Sequence, residues 1–369
     1  MTIGILKEPA GENRVSALPE IVAQFIKLNV QVKVESGAGA TAFATDADYE
    51  KVGATIGSRN EVISSSDILL SIQTPAEPLS GKVILGVYQP LFNFQQVNTW
   101  ASANNTVFSI DIIPRTTRAQ SMDVLSSQAN IAGYKSVLLA GAEYSRYFPM
   151  FMTAAGSIAP AKMLILGAGV AGLQAIATAR RLGCIVEVFD TRPAVKEEVM
   201  SLGAKFVEVE GAADASKAGG YAVEQTEEYK QKQQQRIAES VAKADIVITT
   251  AQIPGKKAPI LLTDAMIHSM RNGSIIIDLA AATGGNTNFT KNNETVIEGG
   301  VKIIGNSNLA STMPSDASKL YGKNILNFLK LIIDKDGNIH LNFEDELVKE
   351  TCIATGGKVT NERVSQLLN

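Results

Sequence analysis

Short apolar runs alternate along the chain with stretches whose apolar residues recur every three or four positions. The first kind predicts buried strands and the second amphipathic helices. Runs over 2–6, 30–35, 67–72, 82–87 and 106–112 read as strands. Leu18, Ile21, Val22, Phe25 and Ile26 fall at helical spacing, and 93–103 reads as a second helix. Strands alternating with helices imply βαβ units and a parallel sheet, wound with right-handed crossovers. A helical pattern from about 119 to 142 predicts a long helix linking two domains. A second series begins at Lys162, with strands over 162–166, 185–189, 205–207, 245–249, 274–279 and 301–304. Their cores are nearly continuous apolar runs, as strands covered on both faces require. Ser315 reads as the cap of a further helix with Leu320, Ile325, Leu329 and Ile332 on its apolar face, carrying the chain back to the first domain. Asp336-Gly337 then reads as a hairpin turn. The expected fold is α/β: two Rossmann-like domains with parallel sheets, linked by long helices. The N-terminal domain is expected over 1–125 plus 330–369, and the second over 126–329.

A length of 369 residues suits two domains. The 34 basic and 37 acidic residues nearly cancel, so no electrostatic footprint for nucleic acid or an anionic membrane appears. Cys184 and Cys352 have no CxxC spacing and read as buried thiols of a reducing compartment. With His268 and His340 the only histidines, no metal site is expected. Lys7, Glu8, Glu12 and Arg14 interrupt the N-terminus before a signal-peptide core forms. The most apolar long stretch, 159–179, contains Lys162 and a glycine pattern, so it does not read as a membrane span. The expectation is a cytoplasmic protein without direct membrane insertion.

Gly167-Ala168-Gly169-Val170-Ala171-Gly172 follows a strand and opens a helix. In that context GxGxxG reads as a dinucleotide fingerprint. Gly167 serves the tight turn, Gly169 admits a pyrophosphate to the backbone, and Gly172 allows close helix–strand packing. The N-terminus of the helix that the motif opens offers free N–H groups and a partial positive charge to phosphate. Asp190 ends the next strand, where an acid binds both hydroxyls of the adenosine ribose. Its charge repels a 2′-phosphate and favours NAD over NADP. Arg192, two residues on, is a counter-signal, since a guanidinium accommodates phosphate. A purely structural glycine turn is the alternative.

The segment 114–126 ends the first domain's last strand and enters the linker helix. Arg115 can donate, Asp123 can accept, and Ser126 can do either, which are the groups a carboxamide needs. Gln120 lies between them. Composition alone leaves helix capping with a surface ion pair as the other reading. At this point a resemblance becomes specific. Arg115–Ser126, continuing through Ser127-Gln128-Ala129-Asn130-Ile131-Ala132-Gly133-Tyr134, resembles the loop and following helix of the NAD(H)-binding component of proton-translocating NAD(P) transhydrogenase. So do the segment 167–179, Gly219-Gly220-Tyr221-Ala222, Thr249-Thr250-Ala251-Gln252-Ile253-Pro254-Gly255, and Ile277-Asp278-Leu279-Ala280. The match covers essentially the whole chain. Alanine dehydrogenases share the same two-domain architecture.

The resemblance implies that Arg115, Asp123 and Ser126 position the nicotinamide of bound NAD(H). It implies that Gln120 reaches toward NADP(H) on a partner component. Val170, Asp190, Thr191, Arg192, Gly220, Gln233 and Gln252 would line the adenosine and pyrophosphate side, with Gln252 at a position commonly apolar in the family. Tyr221 would belong to a mobile loop. Also implied are NADP-binding and membrane-spanning partner components, a homodimer, and peripheral association with the inner membrane through those partners. The absence of membrane helices in the chain resembles the form whose membrane parts are separate polypeptides.

Two other functions are weighed against this one. Oxidising an amino acid requires removal of a proton as the hydride leaves, so it needs a general base. Hydride transfer between two nicotinamides needs only two rings held face to face. Arg14 matches the arginine of alanine dehydrogenases, but their lysine aligns with Gln73, their histidine near Gln89 or Pro90, and their aspartate with Ala282. No histidine precedes His268, which reads as a surface residue, as His340 reads as structural. A non-enzymatic NAD-binding protein on the same fold is the third reading. The Arg115–Ser126 constellation argues against it.

Overall fold

The computed structural model describes residues 1–209 and 226–368. Gly219, Gly220 and Tyr221 lie outside the described residues. The chain forms two compact units, Met1–Gln128 with Ala310–Asn369, and Ala129–Leu309. The first boundary falls inside the long helix Val124–Glu143. The second corrects the expected return at 330: the chain re-enters the first unit at Ala310, so helix Pro314–Ile332 belongs wholly to that unit. Its buried face explains why. Tyr321, Ile325, Phe328, Leu329 and Ile332 all enter the first unit's core, and the Phe328 ring meets Phe108 edge-on at 5.3 Å. Leu320, expected on that face, is only half-buried. Ser315 is not the cap either: Pro314 is the first helical residue, and the Ser315 hydroxyl donates to the Ala42 carbonyl at 3.3 Å.

The first unit holds an eight-stranded sheet. Its parallel part runs in the order Thr106–Ser109, Val83–Gly86, Ile68–Leu70, Thr2–Ile5, Gln31–Glu35 and Thr55–Gly57. Strand alternation divides the apolar residues between two layers: Ile68 and Leu70 enter the core around Phe25 and Phe328, whereas Leu69 faces the one around Tyr88 and Trp100. Two further strands, Cys352–Thr355 and Lys358–Val359, add antiparallel beside Thr106–Ser109. Neither of these, nor Thr55–Gly57, was expected from the apolar pattern. The expected turn after the last long helix is present: the Asp334 carboxylate accepts from the N–H groups of Asp336 and Asn338 at 2.9 and 2.8 Å, and Gly337 takes φ +78°.

The second unit holds seven strands in the order Lys205–Phe206, Ile185–Phe189, Lys162–Leu166, Ile246–Thr249, Ile275–Asp278, Val301–Gly305 and Glu294–Glu298. All pairs are parallel except the last. Strand order reverses at Lys162–Leu166: the chain moves first to one side of it and later to the other. In such sheets the crevice beyond the carboxyl ends of the central strands is where ligands bind. Ahead of this sheet lies a two-stranded hairpin, Phe151–Thr153 with Gly156–Ile158, that the sequence pattern did not predict. All of its residues are exposed. Cys184 and Cys352 are buried free thiols, as expected, and burial pushes their pKa values up to about 12 and about 11. Among the described residues no helix is long and apolar enough to cross a membrane.

Candidate functional site

The fingerprint turn in the second unit starts where strand Lys162–Leu166 ends. Gly167 takes φ +107° and its N–H donates to the Phe189 carbonyl at 2.8 Å. A side chain at Gly167 would stand 2.3 Å from the Thr250 hydroxyl. A Cβ on Gly172 would stand 1.9 Å from the Gly167 carbonyl oxygen, so the helix and the turn touch backbone to backbone there. Gly133 makes a similar close approach: its Cβ would fall 2.1 Å from the Ala171 carbonyl. Gly169 differs, since among the described residues a Cβ there would meet nothing within 4 Å.

Helix Val170–Arg181 begins after Gly169, and among the described residues no side chain caps it. Its first N–H groups have no intrahelical carbonyl partner, and the helix dipole adds a partial positive charge. An open glycine beside an uncapped helix start fits a pyrophosphate.

Asp190 follows strand Ile185–Phe189 and is buried. Its carboxylate accepts from the Ala168 N–H at 2.7 Å, so the turn and the acid are directly joined. It also accepts from the Arg192 N–H at 2.8 Å and pairs with the Arg192 guanidinium at 2.7 Å. Thr191 between them is half-buried. Tyr229, on helix Glu227–Val241, escaped the sequence reading. It is buried, and both burial and the negative charge of Asp190 push its phenol up. Gln233 stands one turn further along that helix, half-buried. The i, i+4 spacing of Tyr229 and Gln233 was the available signal.

Gln252 is exposed but anchored, donating to the Leu279 carbonyl at 2.9 Å. Its loop is held by Asn286, which also escaped the sequence reading. The Asn286 amide donates to the carbonyls of Ala251 and Pro259 at 2.9 and 2.8 Å and accepts from the Ala251 N–H at 3.2 Å. Buried Asp278 in turn accepts the Asn286 N–H at 2.6 Å. The signal was a polar residue directly after Gly284-Gly285.

In the first unit the segment 115–126 does not continue the long helix, as the apolar spacing suggested. Thr117–Met122 is a 3₁₀ helix, and the α-helix starts at Val124. Asp123 makes the break. Its carboxylate accepts the Ser126 N–H at 2.9 Å and the Ser126 hydroxyl at 2.6 Å, which is helix capping. The structure therefore brings Asp123 and Ser126 together, while Arg115 and Gln120 project as exposed side chains from the loop and the 3₁₀ turn. Asn324 and Asn327 both donate to the Ser121 carbonyl, at 2.8 and 3.0 Å, and fix the turn onto helix Pro314–Ile332.

The same unit buries an ionic cluster around Arg14. The guanidinium binds both Glu12 oxygens at 2.8 and 2.6 Å and donates to the Gln128 side-chain oxygen at 2.8 Å. Burial works against the Glu12 charge, but Arg14 outweighs it and holds the carboxyl below its usual range. Glu8 accepts the N–H groups of Ile72 and Gln73 at 2.5 and 2.9 Å. Burial dominates there and pushes its pKa up to about 7. His268 pairs with Glu298 on the surface at 2.9 Å.

Two family models match the chain: alanine dehydrogenase/PNT, N-terminal domain, over 4–132, and alanine dehydrogenase/PNT, C-terminal domain, over 136–362. The chain belongs to the alanine dehydrogenase/PNT family. Within that family it is 45% identical, over 98% of its length and 96% of the other's, to the first of the polypeptides that make up NAD(P) transhydrogenase subunit alpha in Rickettsia prowazekii. A crystal structure of transhydrogenase from Sinorhizobium meliloti superposes with a TM-score of 0.89 at 44% identity, covering 97% of this chain and all of that one. The alanine dehydrogenase of Staphylococcus epidermidis is more distant, at 28% identity over all of this chain and 97% of that one.

Two outcomes follow from this geometry. Gly172→Ala forces the helix off the turn and lowers Tm by several degrees, at a cost of a few kcal/mol. Gly169→Ala leaves Tm nearly unchanged, because its Cβ enters open space, yet weakens dinucleotide binding at least tenfold. Thermal unfolding and nucleotide titration separate the two effects, and a Gly169→Ala protein of unchanged affinity would contradict the assignment.

Glu8 sets a pH dependence. Its folded pKa lies above its unfolded one, so the folded state holds a proton that the unfolded chain releases. Stability is fully present below about 4.5 and falls as pH rises toward about 7. The shift is worth about 3 kcal/mol. Glu8→Gln should flatten this slope in denaturant unfolding between pH 5 and 8. A stability difference independent of pH would show that Glu8 carries its usual charge.

Proposed function

We propose that this chain is the NAD(H)-binding subunit of a proton-translocating NAD(P) transhydrogenase. It exchanges a hydride directly with NADP(H) on a partner component. The near-full-length likeness to transhydrogenase alpha chains carries this reading. The fingerprint turn and Asp190 supply the matching cofactor chemistry. When bound, the nicotinamide supplies the hydride donor or acceptor.

The chain's residues bind, orient and exclude. N–H groups at the start of helix Val170–Arg181 receive the pyrophosphate. Asp190 receives the ribose hydroxyls and disfavours a 2′-phosphate, with Thr191, Arg192, Gln233 and Gln252 around the adenosine and pyrophosphate side. Arg115, Asp123 and Ser126 orient the carboxamide. Asp123 and Ser126 are already locked to each other and to the helix start, so little freedom is lost when they do so. Gln120 faces the partner's nucleotide. No acid–base group is required, because a hydride passing between two nicotinamide rings moves no other proton. This suits a chain with Gln73, Gln89 and Ala282 where amino-acid oxidation needs ionisable groups.

The partners are NADP-binding and membrane-spanning components, which place the chain on the cytoplasmic side of the inner membrane without its entering the bilayer. The chain further pairs with a second copy of itself. The hairpin 151–158 supports that pairing: Met150, Phe151, Met152 and Ile158 are exposed together, with the Tyr147 ring 4.4 Å from Phe151. Such an apolar patch is costly in water unless covered.

Alone, the chain should transfer hydride negligibly; addition of an NADP-binding component should bring rapid exchange. Arg115→Ala should slow that exchange by about 10²-fold through misplacement of the ring. Gln120→Asn should slow it with NADH affinity retained. NADH formation dependent on alanine, or an unaltered rate for Gln120→Asn, would contradict the reading.

Phe151→Asp combined with Met152→Asp should yield a folded monomer by light scattering, whereas the unmutated chain runs as a dimer. A dimer that survives both substitutions places the contact elsewhere.

A further inference from the structure

The Asp190 carboxylate has no acceptor site to spare. One oxygen takes the Arg192 N–H at 2.8 Å and the Arg192 Nε–H at 2.9 Å. The other takes the Ala168 N–H and the Arg192 Nη2–H, both at 2.7 Å. A carboxylate offers about four acceptor positions, and these four bonds fill them. A ribose diol needs two. The two main-chain donors are fixed. Ala168 lies inside the glycine turn, and Arg192 is followed by Pro193 and the short helix Pro193–Val195, which holds its backbone. Only the guanidinium can leave. Glu198, on helix Lys196–Ser201, already attracts it and gives it somewhere to go.

We infer that the Arg192 guanidinium is a built-in competitor for the ribose site, displaced from Asp190 when the adenosine ribose of NAD(H) arrives. This rests on the NAD(H) reading of the fingerprint. It assigns Arg192 two effects. The guanidinium weakens NAD(H) binding, because the competent state is the one in which Asp190 is released. It also blunts selectivity. While paired, it cancels the charge that repels a 2′-phosphate, and once displaced it stands beside that phosphate as a bidentate donor. Arg192 is thus a selectivity residue working against Asp190, two positions away on the same strand end.

The test uses the full chain, with Arg192→Ala and Arg192→Gln. Dissociation constants for NADH and NADPH are read from nucleotide fluorescence at low salt. Both variants should bind NADH about fivefold more tightly and should widen the NADPH-to-NADH ratio of dissociation constants about tenfold. Weaker NADH binding by both variants, or an unchanged ratio, overturns the inference. If Arg192→Ala leaves the buried Asp190 carboxylate without a charged partner and the chain fails to fold, Arg192→Gln keeps a neutral donor and decides the matter. A second readout is the side-chain Nε–H resonance of Arg192 by ¹⁵N NMR, assigned by its loss in Arg192→Gln. It should shift on saturation with NADH. A resonance unmoved by NADH that does bind refutes displacement alone, whereas an unmutated chain that fails to bind NADH refutes the underlying function.

Discussion

The contact on which the second unit turns is the approach of Gly172 to the Gly167 carbonyl, closer than any side chain permits. It seats helix Val170–Arg181 directly on the end of the central strand. That seating leaves the helix N-terminus without a side-chain cap among the described residues, with Ala168 placed to donate to Asp190. Gly133 brings the long helix equally close at Ala171, and Thr250 closes the turn from the neighbouring strand by donating to the Leu166 and Gly167 carbonyls at 3.3 Å. Three glycines and a threonine thus fix where charge can be received.

The first unit uses opposite means. Arg14 is satisfied by Glu12 and Gln128, and Asp123 by the Ser126 hydroxyl and N–H. Carboxylates and a guanidinium held by such fixed partners act as fixed dipoles. A reaction that needs orientation rather than proton transfer is served by such a unit. The side-chain amides of Asn324 and Asn327 do the same for the 3₁₀ turn, holding its backbone from an adjacent helix while Gln120 stays exposed.

Central strands were legible because they are buried on both faces and read as unbroken apolar runs. Of the edge strands, Lys205–Phe206 was expected but others were not. Thr55–Gly57 has one large apolar residue, and Glu294–Glu298 is largely exposed, so neither carries a burial signal. The break at Asp123 was masked because Ala119 and Met122 keep helical spacing into the following helix, although an Asp three residues before Ser126 is a cap signal. The unit boundary was misplaced by the same logic, since the spacing of helix Pro314–Ile332 does not say which core receives it. In the candidate site, the glycines and Asp190 announced themselves by position after a strand. Tyr229 and Asn286 did not, because their roles come from side chains meeting across elements distant in sequence. The Arg192–Asp190 pair lay in plain view as neighbours, but only side-chain geometry shows that the guanidinium fills the acceptor sites.

The central claim is direct hydride passage between a nucleotide held here and one held by a partner. NADH deuterated at the transferred position of its nicotinamide, mixed with this chain, an NADP-binding component and oxidised NADP in ordinary water, measures it in one step. The account predicts that the deuterium is recovered in the NADPH formed, with none lost to solvent. NADPH formed without the label, with deuterium appearing in water, would contradict it.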